Sequence, residues 1–194
     1  LRHTNLNDDK IFESYLNHPT DYISNAAVLC LAKESSANKK LAQKFNLNER
    51  IQGKIRELSS ADNDLRKEEI AELLTAIGYA KEHRFYSFIS AHFNNKDPYV
   101  VNFAIEAAGI TAHEPFVHQL LGFLSEKQFR KPARKALRKY GVAITRTILK
   151  LDLTESLATE IRPFIPKVIQ SFRSRESVKV LMRLLQSKDF IIRL

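Results

Sequence analysis

Of 194 residues, one is cysteine, five are glycine, six are proline and none is tryptophan. The lone Cys30 excludes an internal disulfide framework and a cysteine-based zinc site. Scarce glycine and proline argue against a sheet-rich fold punctuated by turns, and against a glycine-cradled nucleotide site. Long apolar runs are missing too. The longest, within Asn25–Ala32, falls far short of the roughly 20 residues that cross a bilayer. No signal-peptide pattern opens the chain, which starts at Leu1 and reads as an excerpt of a longer protein. What is present is ordinary for a folded protein: 44% hydrophobic and 27% charged residues.

The net charge of +9 is unevenly spread. Residues 1–97 carry 14 Lys+Arg and 14 Asp+Glu, whereas residues 98–194 carry 17 and 8. Between Lys127 and Leu151 stand nine basic residues (Lys127, Arg130, Lys131, Arg134, Lys135, Arg138, Lys139, Arg146, Lys150) and no acid. A concentrated excess of this kind predicts a basic face rather than general solubility.

The chain also repeats itself. Gly78, Gly109 and Gly141 recur at spacings of 31 and 32, and aligning on them brings Ile70, Val101 and Ala133 into one register and Leu73, Ala104 and Ala136 into another. A further step reaches Ile165 and Val168, with Arg173 in the glycine slot. Backwards, the segment from Asp21 to Val28 echoes that from Asp97 to Ile105. Within each copy the spacing is helical: Ile70, Leu73, Leu74 and Ile77 follow i, i+3, i+4, i+7, and Phe85, Phe88, Ile89 and Phe93 follow i, i+3, i+4, i+8 after the turn. Val101 to Ala108 is followed in the same way by Phe116, Val117, Leu120, Leu121 and Leu124. The glycines are expected in the left-handed position after each first helix. Asp97-Pro98 reads as N-cap and first helical residue, and Ser125-x-x-Gln128 as a capping box. Units of about 31 residues with two helices each predict an α-solenoid.

The pattern Asp97-Pro98-x-x-Val101-x-x-Ala104-x-x-Ala107-x-Gly109 resembles the HEAT repeat, in the short bacterial form also seen in phycobilin-lyase-like proteins. Pro132-Ala133-Arg134-x-Ala136-Leu137 and Asp189-Phe190-Ile191-Ile192-Arg193 resemble its opening, with Pro132 departing from it by starting or kinking the helix. Pro163 and Pro166 resemble the bent first helix of such units. A narrower resemblance, carried by Tyr22 to Lys33, Ala76 to Gly78 and Ala107 to Thr111, is to the soluble HEAT segments joined to bacterial ADP/ATP translocase-like carriers. The expected fold is therefore all-α, a right-handed solenoid of about five HEAT-like helical hairpins forming a single domain over 1–194. Residues 1–20 (Ile11, Phe12, Tyr15, Leu16) would supply a partial hairpin and 21–60 an irregular unit with an extra helix. Residues 65–95, 98–124, 126–152 and 155–186 would be repeats, and 187–194 the start of another.

Candidate chemistry is sparse. His3, His18, His83, His92, His113 and His118 form no H-E-x-x-H and no i, i+4 pair that could clasp zinc. His92, seven residues after Phe85, is expected at the edge of the apolar stripe. Cys30, inside Ala27-Val28-Leu29-Cys30-Leu31-Ala32, reads as core filler. Glu68, Glu69 and Glu72 open a helix, where the macrodipole explains acids, and Asp62-Asn63-Asp64 offers its cap. No metal, cofactor or catalytic residue is expected.

The cations carry more information. On a continuous helix, Lys127 through Lys139 spread over an arc of about 180°, with Phe129, Ala133, Ala136, Leu137 and Tyr140 opposite. Arg175, Lys179 and Arg183 stack at i, i+4, i+8 on a later helix. The resemblance to HEAT solenoids implies that such second helices line the concave face. Arg130, Arg134, Lys135, Arg138, Arg175, Lys179 and Arg183 are thus the candidate binding residues for an anionic partner. A solenoid chiefly binds protein. An anionic membrane surface is a second candidate. Nucleic acid is a third, since the stacking aromatics it favours (Phe85, Tyr86, Phe88, Phe93) lie in the neutral half. The expected function is a non-catalytic cytoplasmic scaffold, which the narrower resemblance implies is tethered to the inner membrane as the regulatory segment of a translocase-like carrier; the alternative is a nucleic-acid-binding protein with a basic concave surface.

Overall fold

The structure, a computed structural model, describes residues 6–59, 66–151 and 160–185, with side chains from Asp9 onward. All regular structure among the described residues is helical: twelve α-helices, three short 3-10 turns and no strand. The chain divides into two compact units, Leu1–Ala107 and Ala108–Leu194.

The first unit holds α1 (Leu6–Leu16), α2 (Asp21–Ser35), α3 (Lys39–Lys44), α4 (Leu47–Ser59), α5 (Lys67–Ala80), a 3-10 turn at His83–Phe85, α6 (Tyr86–His92) and most of α7 (Pro98–Thr111). Its core forms where α2 lies along α5, with α4 against both and α1 against α2. Small residues make this possible: α2 buries Ser24, Ala27, Val28, Leu31, Ala32 and Ser35 along one stripe, against Ile70, Leu74 and Ile77 of α5 and Ile51 of α4. Each large aliphatic side chain so buried contributes about 1.5–3 kcal/mol. The unit expected to be irregular over 21–60 forms two further helices, α3 and α4, after α2, because Asn38 caps α3 through its side chain and Asn46 takes a left-handed φ of 51° between them.

Three expectations about side chains need correcting here. Cys30 is exposed, not core. The run Ala26–Ala32 is apolar all the way round the helix, so composition alone cannot show which side is packed, and Cys30 stands opposite the buried Val28 and Ala32 stripe. On α1, Leu16 is buried, whereas Ile11 and Tyr15 are about half exposed at 55% and 50%. Phe88 is only half-buried beside the buried Phe85, Ile89 and Phe93.

The second unit begins within α7 and continues through a 3-10 turn at Glu114–Phe116, α8 (Val117–Gly122), α9 (Arg130–Arg138), α10 (Ala143–Lys150), a 3-10 turn at Arg162–Phe164, α11 (Ile165–Ile169) and α12 (Arg175–Leu185). Helix α9 packs on α8 and α11, and α10 packs on α12. Phe116, Leu120, Leu121, Leu124, Leu137, Ile144, Ile148, Ile169 and Leu184 fill the interior. The register positions Ile70 and Leu73, Val101 and Ala104, Ala133 and Ala136, and Ile165 and Val168 are all buried, pair by pair on α5, α7, α9 and α11.

Local signals succeed and fail for identifiable reasons. The Asp97 side chain accepts a hydrogen bond from the Tyr99 amide (2.8 Å), capping α7 ahead of Pro98 at its first position. The capping box at Ser125 does not form. The Ser125 hydroxyl donates to the Gly122 carbonyl and a turn intervenes, so α9 starts only at Arg130; Pro132 falls in its first turn, where no amide hydrogen is missed. Gly78 and Gly109 are not in turns. Both lie inside helices, and the left-handed residues are Lys81 (φ 54°) and Ala112 (φ 51°); Gly141 alone of the three sits in a turn, at φ 62°. Gly109 instead serves close helix approach, because a Cβ there would stand 2.7 Å from Ala136 Cα and 2.8 Å from its Cβ. The Asp62–Asp64 caps, Asp189–Arg193 and the expected repeat start at 187–194 lie outside the described residues.

This geometry predicts opposite outcomes for two glycine-to-alanine changes. Gly109→Ala should lower stability by about 1–3 kcal/mol through overpacking against α9. Gly53→Ala, exposed in the interior of α4 with nothing within 4 Å of the new methyl, should raise it by about 0.5–1 kcal/mol. Urea melts of the two variants check both signs.

Candidate functional site

Two groupings of charge invite a functional reading, one acidic and one basic. The acidic one sits in the first unit, where carboxylate oxygens of Asp21, Glu57 and Glu69 come within 4.8 Å of one another. Its cations are built in. Arg66 Nη2 donates to Glu57 (2.5 Å) and Glu69 (2.6 Å) while its Nε donates to the other Glu69 oxygen (2.8 Å), and Lys54 reaches Asp21 (3.1 Å) and Glu57 (3.2 Å). Asn25 adds a third hydrogen bond to Glu69. The cluster is thus a buttress binding α2, α4 and α5 around the residue that precedes α5.

The charges titrate accordingly. The Arg66 hydrogen bond, ahead of opposing burial, holds the Glu69 carboxyl below the usual carboxylate range; burial, then the neighbouring Glu69 charge, pushes Glu72 up. Glu69 therefore adds stability that is complete above the unfolded carboxyl range and is lost as pH falls through its lowered value. Glu72 has the opposite sign, favouring the fold at low pH and costing stability as pH rises through its raised value. Arg66→Met should lose about 2 kcal/mol near neutral pH and progressively less as pH falls through the carboxylate range, whereas Glu72→Gln should stabilise the fold near pH 7. Urea melts across this pH range test both.

Among the described residues, no histidine joins a group of side chains that could hold a metal ion. His92 is half-buried, its Nδ1 within 2.7 Å of the Phe88 carbonyl and its ring 4.3 Å from that of Phe88, at the edge of the stripe. The His113 carbonyl accepts from the Tyr140 hydroxyl at 2.9 Å.

The basic grouping lies in the second unit, and the seven candidate residues divide in two. Arg130 Nε donates to the Leu124 carbonyl (2.8 Å) and its Nη2 to that of Ser125 (3.0 Å), while its guanidinium lies 3.9 Å from the Phe164 ring centre. Arg138 donates to the Lys167 carbonyl (2.7 Å), and Arg183 to the Leu149 carbonyl at 3.3 Å. These three tie the turn that follows α8 and the ends of α11 and α10, where backbone carbonyls lack intrahelical partners and the helix dipole favours a cation. Arg134 is half-buried, Lys135 exposed, and Arg175 and Lys179 exposed on the outer side of α12. Lys127 lies in the turn before α9, so the cationic arc of that helix begins at Arg130, narrower than a continuous helix from Lys127 would make it. Phe129, Ala133, Ala136 and Leu137 are buried on its other side, as expected.

Lys127, Lys131, Arg146, Arg175 and Lys179 are exposed with no acidic partner among the described residues. Lys150 is the contrasting case, 3.7 Å from Glu114. Sequence reasoning did not separate the tying arginines from the outward cations, because both kinds stand on the same polar arc of the helix. It also missed that α12 carries exposed Val178, Met182 and Leu185 beside its cations; their spacing of i, i+4, i+7 was the available signal.

No family model and no curated protein matches the sequence. Among solved structures, an engineered protein known from its crystal structure is similar at 17% identity, with a TM-score of 0.45, over 97% of this chain and 93% of that one. Among the described residues no helix is long and apolar enough to cross a membrane.

The division of labour among the cations makes a direct prediction. Arg130→Ala should cost about 2 kcal/mol, since two carbonyls lose a charged donor, while Lys131→Ala should stay within about 0.5 kcal/mol of the parent. Thermal melts of the two variants decide it.

Proposed function

We propose that this chain is a non-catalytic interaction module, a right-handed α-solenoid of about five HEAT-like hairpins that binds an acidic protein surface through its second half. The observation that carries the reading is the set of exposed cations without acidic partners among the described residues, Lys127, Lys131, Arg146, Arg175 and Lys179. Uncompensated charge of one sign raises the local potential over about 8 Å at physiological salt and draws in polyanionic surfaces. The succession α5–α6, α7–α8, α9–α10 and α11–α12, each first helix burying its register pair, supports the repeat architecture. The resemblance to soluble segments of translocase-like carriers supports a cytoplasmic setting beside the inner membrane.

Binding to poly-glutamate, duplex DNA and anionic vesicles, measured across a salt series, tests the reading. Poly-glutamate should bind and weaken steeply with salt. The charge-reversed variant of Lys127, Lys131, Arg175 and Lys179 to Glu should lose at least tenfold in affinity with unchanged helix content. A strong preference for duplex DNA would transfer the function to nucleic-acid binding. Failure of all three ligands at low salt would sink the proposal.

A further inference from the structure

Helix α12 turns a two-part face outward. Val180 and Leu184 are buried and Ser177 with them, which fixes the side that packs on α10. With about 100° per residue, the outward arc runs from Leu181 through Leu185, Val178 and Met182, then through Arg175, Lys179 and Arg183. The first group is apolar and the second cationic, side by side along the helix. Val178, Met182 and Leu185 are 59%, 54% and 54% exposed, and Leu181 is half-buried. The single acid of the helix, Glu176, is half-buried outside this arc.

Exposed apolar residues standing singly are ordinary, but three exposed and one half-buried in a single stripe on an eleven-residue helix are not. The adjoining charge says what would cover them. A helix lying on a lipid surface carries cations on both flanks of its apolar stripe, so that both reach the headgroups at one depth. Here the cations occupy one flank only, and the other flank is the helix's packing with its own unit. One-sided charge fits a partner that is itself one-sided: a rod with an apolar stripe and an acidic edge.

We propose that α12 docks an amphipathic helix of an acidic protein partner, its apolar i, i+3/i+4, i+7 anchors lying on Val178, Leu181, Met182 and Leu185 and its acidic edge meeting Arg175 and Lys179. This deepens the proposed function and rests on it. Arg183 contributes charge while it holds the end of α10. The mode is helix-in-groove recognition, in which apolar anchors supply affinity and flanking charge sets orientation.

The test uses the full chain and three probes: a synthetic 18-residue helix with a leucine stripe and a glutamate edge, poly-glutamate, and anionic vesicles. The helix should bind more tightly than poly-glutamate at equal salt. The double variant Val178→Ser, Met182→Ser should weaken the helix roughly tenfold or more while leaving poly-glutamate binding unchanged, and Arg175→Glu with Lys179→Glu should weaken both. Both variants change exposed positions, and circular dichroism should match the parent. If the serine variant binds the helix as well as the parent does, the docking proposal is overturned and the cationic reading survives. Vesicle binding stronger than helix binding, lost with Met182→Ser, would overturn it in favour of a membrane surface. Loss of poly-glutamate binding in the parent chain would instead sink the proposed function. As an independent check, Met182→Cys in a Cys30→Ser background should react with a thiol reagent at an unhindered rate. Protection there without added ligand would mean that this chain already covers the stripe, and would overturn the proposal.

Discussion

Short helices are mostly ends, and this protein is built of short helices. The longest described helix has 15 residues and α11 has five. Each end leaves up to four backbone groups without an intrahelical partner, and a helix this short is not stable by itself in water. The fold therefore depends on side chains that reach the ends as much as on apolar burial. Arginines do much of this work. In the first unit Arg50 donates to the carbonyls of Leu16 and Phe45, at the ends of α1 and α3. In the second, Arg130, Arg138 and Arg183 do the same for the turn that follows α8 and the ends of α11 and α10. The planar guanidinium suits the task, since its several donors span two carbonyls at once.

This use of arginine bears on how the charge excess should be read. Part of the positive charge in the second unit is structural: Arg130 and Arg138 are held on carbonyls, and Arg183 is divided between a carbonyl and solvent. What remains for recognition is a smaller set, mainly lysines with Arg146 and Arg175, projecting into solvent. A pattern that looks like one continuous basic face in one dimension resolves into an inner set that holds helices together and an outer set that is free to act.

Helical class, the buried register positions and the Asp97 cap were all legible in the sequence, because they rest on periodicity and on local hydrogen bonding. Cys30 was misread because the residues around it are apolar on every side of the helix. Gly78 and Gly109 were misread because glycine has two uses, a left-handed turn and close backbone approach, and spacing cannot tell them apart. Only the position of Ala136 against Gly109 reveals the second. The apolar stripe of α12 escaped notice for a related reason: Val178, Met182 and Leu185 look like core until the side that packs is known. The cationic residues were found, but their two roles depend on which carbonyls lie within reach, and that information is tertiary.

Lys81 and Ala112 hold left-handed backbone conformations that cost a residue with a Cβ about 1–2 kcal/mol. They are 31 positions apart and directly follow α5 and α7, each amide donating a hydrogen bond that closes the last turn, to the carbonyl of Ile77 or Ala108. The helices on either side enforce this conformation against local preference. Loss of that packing would release the strain at once, so these turns would open as cooperative steps rather than fray gradually. Breathing of the chain would then proceed in discrete steps, with amides on either side of Lys81 or Ala112 exchanging as a block.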